Sequence, residues 1–524
     1  MFYSLFVYYN LRVKQYAPFA GLFLLVACLF HFGYPNFADL DSFFYLGKAK
    51  LMLEQGISET SFPWTQFSVI KDNSSSLWFG FSILLTPLAW LTNSTLALKI
   101  AGVLMTAFTL FAAFFIAKRH QWKWPVIWPF LMFFSAPNVM AQLLMIRPQT
   151  ITIGLGLLLI SFLVRGKWWQ ILLTAFLISW IHLNFAWMIL AVWGTMAIFQ
   201  LITQKKFVPV NLAAVLTGGL LGWLARPNFL GAAKLFYIQV VQQIVEKQSG
   251  LPLLFGIENF PLSANVLAKN FSVFLIIWLI GILAVCWLID NRKTIILPEN
   301  KIIALAGSFL SVVFFLLSIA VARRAYDFWI AFGLLPIGVA FTEILRLANY
   351  QATKAIRSFT FYILLLTFCF LTPYSMYKTH DSLTNHVYRP DLLQEAALWL
   401  KDHSQPGEIV FNVHWSHFSP LFFWNRQNYY IGGLDPIFQY RHNPELYWKF
   451  HYLSADLTAE FTCKYDACTK DQLEDTYAAL KNDFRAKYLL LDKIQNPKLN
   501  QYLKVSPKFE KGFESINEVI YLIK

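Results

Sequence analysis

The chain has 524 residues, of which 57% are hydrophobic and 18% aromatic, while only 14% carry charge. A soluble domain carries roughly 25% charged residues, so this composition excludes an ordinary water-soluble globule and calls for the bilayer, which a helix crosses with about 20 apolar residues. The formal net charge of +14 does not point to nucleic acid, because Lys and Arg cluster in short loops between apolar runs, as cytoplasmic membrane loops do.

Apolar runs lie near 16–34, 77–91, 95–117, 124–146, 150–164, 170–184, 185–203, 207–225, 271–290, 302–322, 327–347 and 358–377. The first lacks a small-residue cleavage site and reads as an anchor rather than a removable signal. Arg12 and Lys14 precede it, and Lys118/Arg119, Arg165/Lys167, Lys205/Lys206, Arg292/Lys293 and Lys354/Arg357 follow later runs. If all twelve runs crossed, the first basic pair and the later clusters would face opposite sides, against the positive-inside rule. The run 77–91 is short and interrupted by Pro87. Treating it as a juxtamembrane or re-entrant helix leaves about eleven spans, with the N-terminus inside and the C-terminus outside. The expected layout is a transmembrane domain over 1–377, carrying outer loops 35–95 and 226–270, and an extracytoplasmic α/β domain over 378–524.

In the first outer loop, Asp41 is placed to cap a helix that ends at Gly56. Phe43, Leu46, Lys50 and Leu53 share one helical face that would suit the membrane interface. Asp39 and Asp41, two apart, point to one side of an extended segment and would there share a hydroxyl or a divalent cation. The plainer reading makes Asp41 a cap and Asp39 a solvated loop residue. Further along, the predicted outer ends carry Lys99, Arg147, Arg226, Arg323 and Arg324, cations suited to a phosphate or to snorkelling toward headgroups. His182 lies at an outer turn, as a catalytic group or a hydrogen-bonded turn histidine. Glu258 in the second outer loop offers a ligand, a second acid or a loop cap.

The tail reads as helix 391–403, strand 408–413, helix 470–482 and buried strand 487–491. Asn412-Val-His414-Trp415-Ser-His417 and Gly432-Gly-Leu-Asp435-Pro436 read as loops over a site; the two histidines lack a complete ligand set. Cys28, Cys286 and Cys369 sit in apolar runs as packing residues, and Cys463 and Cys468 are either a disulfide or free thiols.

The order of parts resembles the GT-C superfamily of membrane glycosyltransferases: one span, a loop opening with Asp39-x-Asp41 and Tyr45, and an amphipathic helix ending in Gly. Phe62-Pro-Trp-Thr65, the run 77–91 and a span beginning Leu96-Ala-Leu-Lys99 follow. The resemblance covers about the first 120 residues and implies a GT-C-like helical membrane fold. It implies that Asp41, with Asp39 as partner, serves as base or binds Mg²⁺ or Mn²⁺, that Tyr45 and the outer cations contact substrate, and that a polyprenyl-phosphate sugar is the donor. The acceptor would be an extracytoplasmic glycan, lipid or protein, the membrane a bacterial inner membrane, and the mechanism inverting. The adjacent Asp-Glu of protein O-mannosyltransferases and the Trp-Trp-Asp of oligosaccharyltransferases are absent, which leaves the acceptor open. The rival readings are a transporter or flippase of lipid-linked sugars, which would place charges at the bilayer midplane and show internal repeats, and a non-catalytic assembly subunit.

Overall fold

The computed structural model describes residues 2–57, 61–73, 75–290, 296–351, 354–385, 388–456 and 476–524. The chain forms two compact units: Met1–Ala38, Asn93–Ala225 and Ile257–Tyr388 make the first, and Asp39–Thr92, Arg226–Gly256 and Arg389–Lys524 the second.

The first unit is helical. Seven helices among the described residues are long and apolar enough to cross a membrane, including Ser94–Arg119, Pro148–Arg165 and Pro298–Ala320. The span from Arg323 to Leu347 is 94% buried and forms the centre around which the others pack. Two apolar helices, Trp168–Ile181 and Pro209–Leu224, are shorter. They approach closely because Gly218 and Gly222, four apart, present bare backbone to Leu172 and Phe176. Small residues at that spacing let helices pack without a hydrophobic driving force. The run 124–146, expected to cross as one helix, instead forms Ile127–Phe133 and Pro137–Leu143. Pro137 cannot donate to the turn before it and restarts the helix at its first position. Cys286 and Cys369, expected as packing residues, are exposed on their helices, whereas Cys28 is half-buried.

The second unit is built on a five-stranded sheet: β1 (Ile409–Asn412), β2 (Tyr429–Tyr430), β3 (Ala486–Asp492), β4 (Phe509–Glu514) and β5 (Glu518–Ile523), in the order β2-β1-β3-β5-β4. β1 pairs in parallel with β2 and β3, and β5 runs antiparallel between β3 and β4. β3 is central, and Leu489, Leu490 and Leu491 are fully buried, as a strand covered on both faces requires. The helix expected over 391–403 begins at Gln394, since Leu393 has φ 56°, a left-handed conformation that no helix continues through. Of the helix expected over 470–482, residues 470–475 lie outside the described residues, as do Cys463 and Cys468; helical structure runs from Thr476.

Two distant stretches join this sheet unit. Residues 64–67 run along β2: Tyr430 N donates to Trp64 O at 3.0 Å, Gln66 N to Tyr430 O at 2.9 Å and Phe67 N to Ile431 O at 2.9 Å. The Pro/Trp/Thr segment of the first loop therefore satisfies a sheet edge that would otherwise expose unpaired groups. The helix Asp41–Gln55 is buried along Ser42–Ala49. The expected interfacial face is corrected at Phe43 and Leu46, which are each 1% exposed, with the Phe43 ring packed on Phe423, whereas Leu53 at the far end of the helix is exposed. The run 77–91 gives the 11-residue helix Phe79–Ala89, about 16 Å long and too short to span.

Candidate functional site

The helix Asp41–Gln55 starts at Asp41 itself. The amide of Ser42 donates to Asp39 Oδ1 at 2.9 Å and the Ser42 hydroxyl to Asp39 O at 3.0 Å. The carboxylate that receives the first turn is thus Asp39, which is buried, whereas the sequence suggested Asp41. Gly56 ends the helix at φ 88°, its amide donating to Met52 O at 3.0 Å, as expected for a glycine stop.

Asp41, Tyr45, Lys48 and Met52 recur at i, i+4, i+7 and i+11 and so form one stripe of this helix. Tyr45 packs edge-on against Trp78 and Phe81. Lys48 is 3% exposed and holds its ammonium 4.4 Å from the Phe62 ring centroid, a cation–π contact. It lines a cleft with Met52, Ser75, Ser76, Phe79 and Arg226, and an adjoining aromatic cleft with Phe44, Phe62, Trp78 and Phe438.

Arg226 is 5% exposed. Its Nη1 donates to Ser76 O at 2.9 Å, and burial lowers its pKa to about 10, still far above neutral pH. The same segments are stitched further: Ser75 Oγ donates to Asn228 O at 2.9 Å, Asn73 Nδ2 to Gly231 O at 3.0 Å and Asn228 Nδ2 to Asn73 Oδ1 at 2.9 Å. A buried Lys and a buried Arg thus face one cleft, an arrangement that attracts phosphate. Lys48 was missed from sequence because a lysine within an apparently amphipathic helix reads as a solvated face; its spacing from Asp41 and Tyr45 was the available signal.

The remaining expected residues lie in the first unit. Arg147 precedes helix Pro148–Arg165, and its Nη1 donates to Glu258 Oε2 at 2.6 Å. Arg324, in the turn Arg323–Ala325, donates to Glu258 Oε1. Burial pushes the Glu258 carboxyl upward, but the charges and hydrogen bonds of Arg147 and Arg324 outweigh it and hold the group at about 2. Asp327, buried, accepts from Gln149 Nε2. His182 places Nδ1 3.3 Å from Thr152 Oγ1. Arg323 donates its backbone N–H to Phe260 O at 2.8 Å. Lys99 gives its ammonium to Tyr34 O at 2.6 Å. Asp327 and Gln149, missed from sequence, fall at predicted span starts where a lone polar residue carries no distinct pattern.

In the sheet unit, His414 Nε2 lies 2.9 Å from Asn496 Oδ1, and its ring centroid lies 5.1 Å from that of His417. Asp435 caps the helix Pro436–His442 by accepting from Ile437 N. No group of three or more His, Cys, Asp or Glu suited to a metal forms among the described residues.

No protein-family model and no curated protein sequence matches the chain, but solved structures share its fold. ArnT from Cupriavidus metallidurans bound to undecaprenyl phosphate superposes with a TM-score of 0.56 at 12% identity, over 97% of each chain. The apo oligosaccharyltransferase of Archaeoglobus fulgidus gives 0.60 at 12% identity, over 91% of this chain and 69% of that one. The arabinofuranosyltransferase AftD from Mycobacteria gives 0.52 at 14% identity, over 97% of this chain but 40% of that larger one.

Proposed function

We propose that this chain, a polytopic membrane protein with the GT-C fold, is a glycosyltransferase that moves a sugar from a polyprenyl-phosphate-linked donor to an acceptor outside the cytoplasm. The observation that carries this reading is the single helix Asp41–Gln55, whose stripe runs from an acid at Asp41 through Tyr45 to the cation Lys48, beside Arg226. The fold likeness to ArnT bound to undecaprenyl phosphate supports a lipid phosphate as the ligand of that cleft.

In this mechanism Asp41 accepts the proton of the acceptor hydroxyl. The oxygen attacks the anomeric carbon from the face opposite the phosphate, the bond from that carbon to the phosphate oxygen breaks, and the configuration inverts. Lys48 and Arg226 stabilise the departing phosphate. That group leaves as an anion and needs no separate acid. Asp39 holds the helix start and so the position of Asp41. Were Mg²⁺ or Mn²⁺ to assist, Asp41 would be the carboxylate to hold it together with phosphate oxygens, since Mg²⁺ is commonly bound through one or two carboxylates plus substrate phosphates. Asp39, whose Oδ1 accepts the Ser42 amide, would join it less readily, because the backbone at Leu40 is helical and not the extended segment that would turn both acids to one side.

Asp41→Asn tests the reading by removing the ionisable carboxylate with little change in size. It should express and unfold like the wild type yet lose transfer from a polyprenyl-phosphate sugar by roughly 10²-fold or more. Lys48→Met should instead weaken donor binding. A folded Asp41→Asn protein that transfers sugar at the wild-type rate defeats the proposal.

A further inference from the structure

In the first unit, two guanidinium groups meet one carboxylate, each taking a different oxygen: Arg147 holds Oε2 of Glu258 and Arg324 holds Oε1. The two arginines lie 177 positions apart in sequence, at the starts of two different helices, Pro148–Arg165 and Tyr326–Gln351. Helix starts present unpaired N–H groups and favour anions. Arg147, Arg323 and Arg324 outnumber Glu258 and Asp327 by one formal charge. The Nε atoms of Arg323 and Arg324 and Oδ1 of Asp327 are buried without a hydrogen-bond partner among the described residues. The chain's own carboxylate therefore leaves polar capacity unused at a point of net positive formal charge.

Glu258 sits on a short arm. Its turn, Ile257–Asn259, is a single 3-10 turn with no buried residue, and Ile257 is 70% exposed. The arm is fastened just beyond, where Phe260 O accepts from Arg323 N and Leu262 N donates to Ser318 O, both at 2.8 Å. The Glu258 side chain keeps 22% of its surface exposed, so turning it outward would hydrate the carboxylate. Arginine pairs with carboxylate and with phosphate through the same parallel hydrogen bonds to two oxygens.

We infer that Arg147 and Arg324 form an anion site of the first unit, which the chain closes with Glu258 as a stand-in for a phosphate group. An incoming phosphate takes over the two guanidiniums and releases the arm that carries Glu258. No bond is made or broken, and the inference does not depend on sugar transfer.

The full-length protein in detergent is titrated with inorganic pyrophosphate and, separately, with decaprenyl phosphate. Glu258→Gln keeps the size of the arm and removes its charge. A site closed nine-tenths of the time binds about tenfold more weakly than an open one, so this variant should bind at least one probe roughly tenfold more tightly. Arg147→Gln/Arg324→Gln should abolish that gain. Tightening for both probes identifies a general phosphate site, and tightening for decaprenyl phosphate alone identifies a lipid-phosphate site. Glu258→Asp, which shortens the arm and keeps the charge, should give an intermediate gain and serves if the glutamine variant folds poorly. Unchanged affinity in both Glu258 variants, or no binding of either probe to any form, overturns the inference and leaves Glu258 as a structural clasp. Because only binding is read, that result is distinct from an active Asp41→Asn enzyme.

Discussion

Asp39 and Asp41 show how two similar residues acquire different physical duties. Asp39 accepts the Ser42 amide and so compensates one of the N–H groups that a helix start leaves without a partner. Asp41 stands inside the first turn, where its charge favours the positive end of the helix dipole. Asp39→Ala should therefore cost about 1 kcal/mol of stability, and Asp39→Asn, which retains an acceptor oxygen, much less. Thermal unfolding of both variants in detergent checks this; equal stability of the alanine variant and the wild type would show that the cap is idle. The sequence made the acidic pair conspicuous but assigned the cap to the wrong member, because a one-residue shift of a helix boundary exchanges the two roles.

At the scale of elements, close backbone approach does what side chains cannot. A Cβ on Gly218 would run into the Leu172 carbonyl, and one on Gly222 into that of Phe176. Gly218→Leu should force helices Trp168–Ile181 and Pro209–Leu224 apart and lower the unfolding temperature in detergent well beyond the effect of Gly219→Leu. The latter position has open space, with Ile189 at 3.8 Å the only neighbour a Cβ would meet. Similar losses for the two variants would contradict the packing described. Sequence hydropathy located these helices but not this interface, since a glycine pair in an apolar run has no partner until the fold supplies one. The split of run 124–146 into two short helices was likewise hidden, because composition reports apolarity and only the proline positions report continuity.

On the scale of the whole molecule, the unit Asp39–Thr92, Arg226–Gly256 and Arg389–Lys524 draws three separated stretches into one core. Its sheet edge is completed by residues 64–67, and helix Asp41–Gln55 is fastened by Arg426, which donates to Gly47 O at 3.2 Å and to Glu54 at 2.6 Å. A chain ending at residue 388 would keep the apolar helices but strip the loop 39–92 of these partners. It should insert in membranes and become sensitive to trypsin at Lys48 and Lys50, both of which lie within the intact unit's helix. Limited proteolysis of membranes carrying each form makes the comparison, and equal resistance would show that the loop folds without the tail.

The sequence by itself determined the membrane class, the positions of most apolar helices, the short run at 77–91, the Gly56 stop and the buried strand 487–491. Each of these follows from local composition and periodicity. Tertiary structure decided which polar groups come together: Lys48 and Arg226, 178 positions apart, line one cleft, and Glu258 pairs with Arg147 and Arg324. Both arrangements depend on helices and loops far apart in the chain, and the carboxylate, once partly withdrawn from water, needs the opposite charge that the packing brings to it.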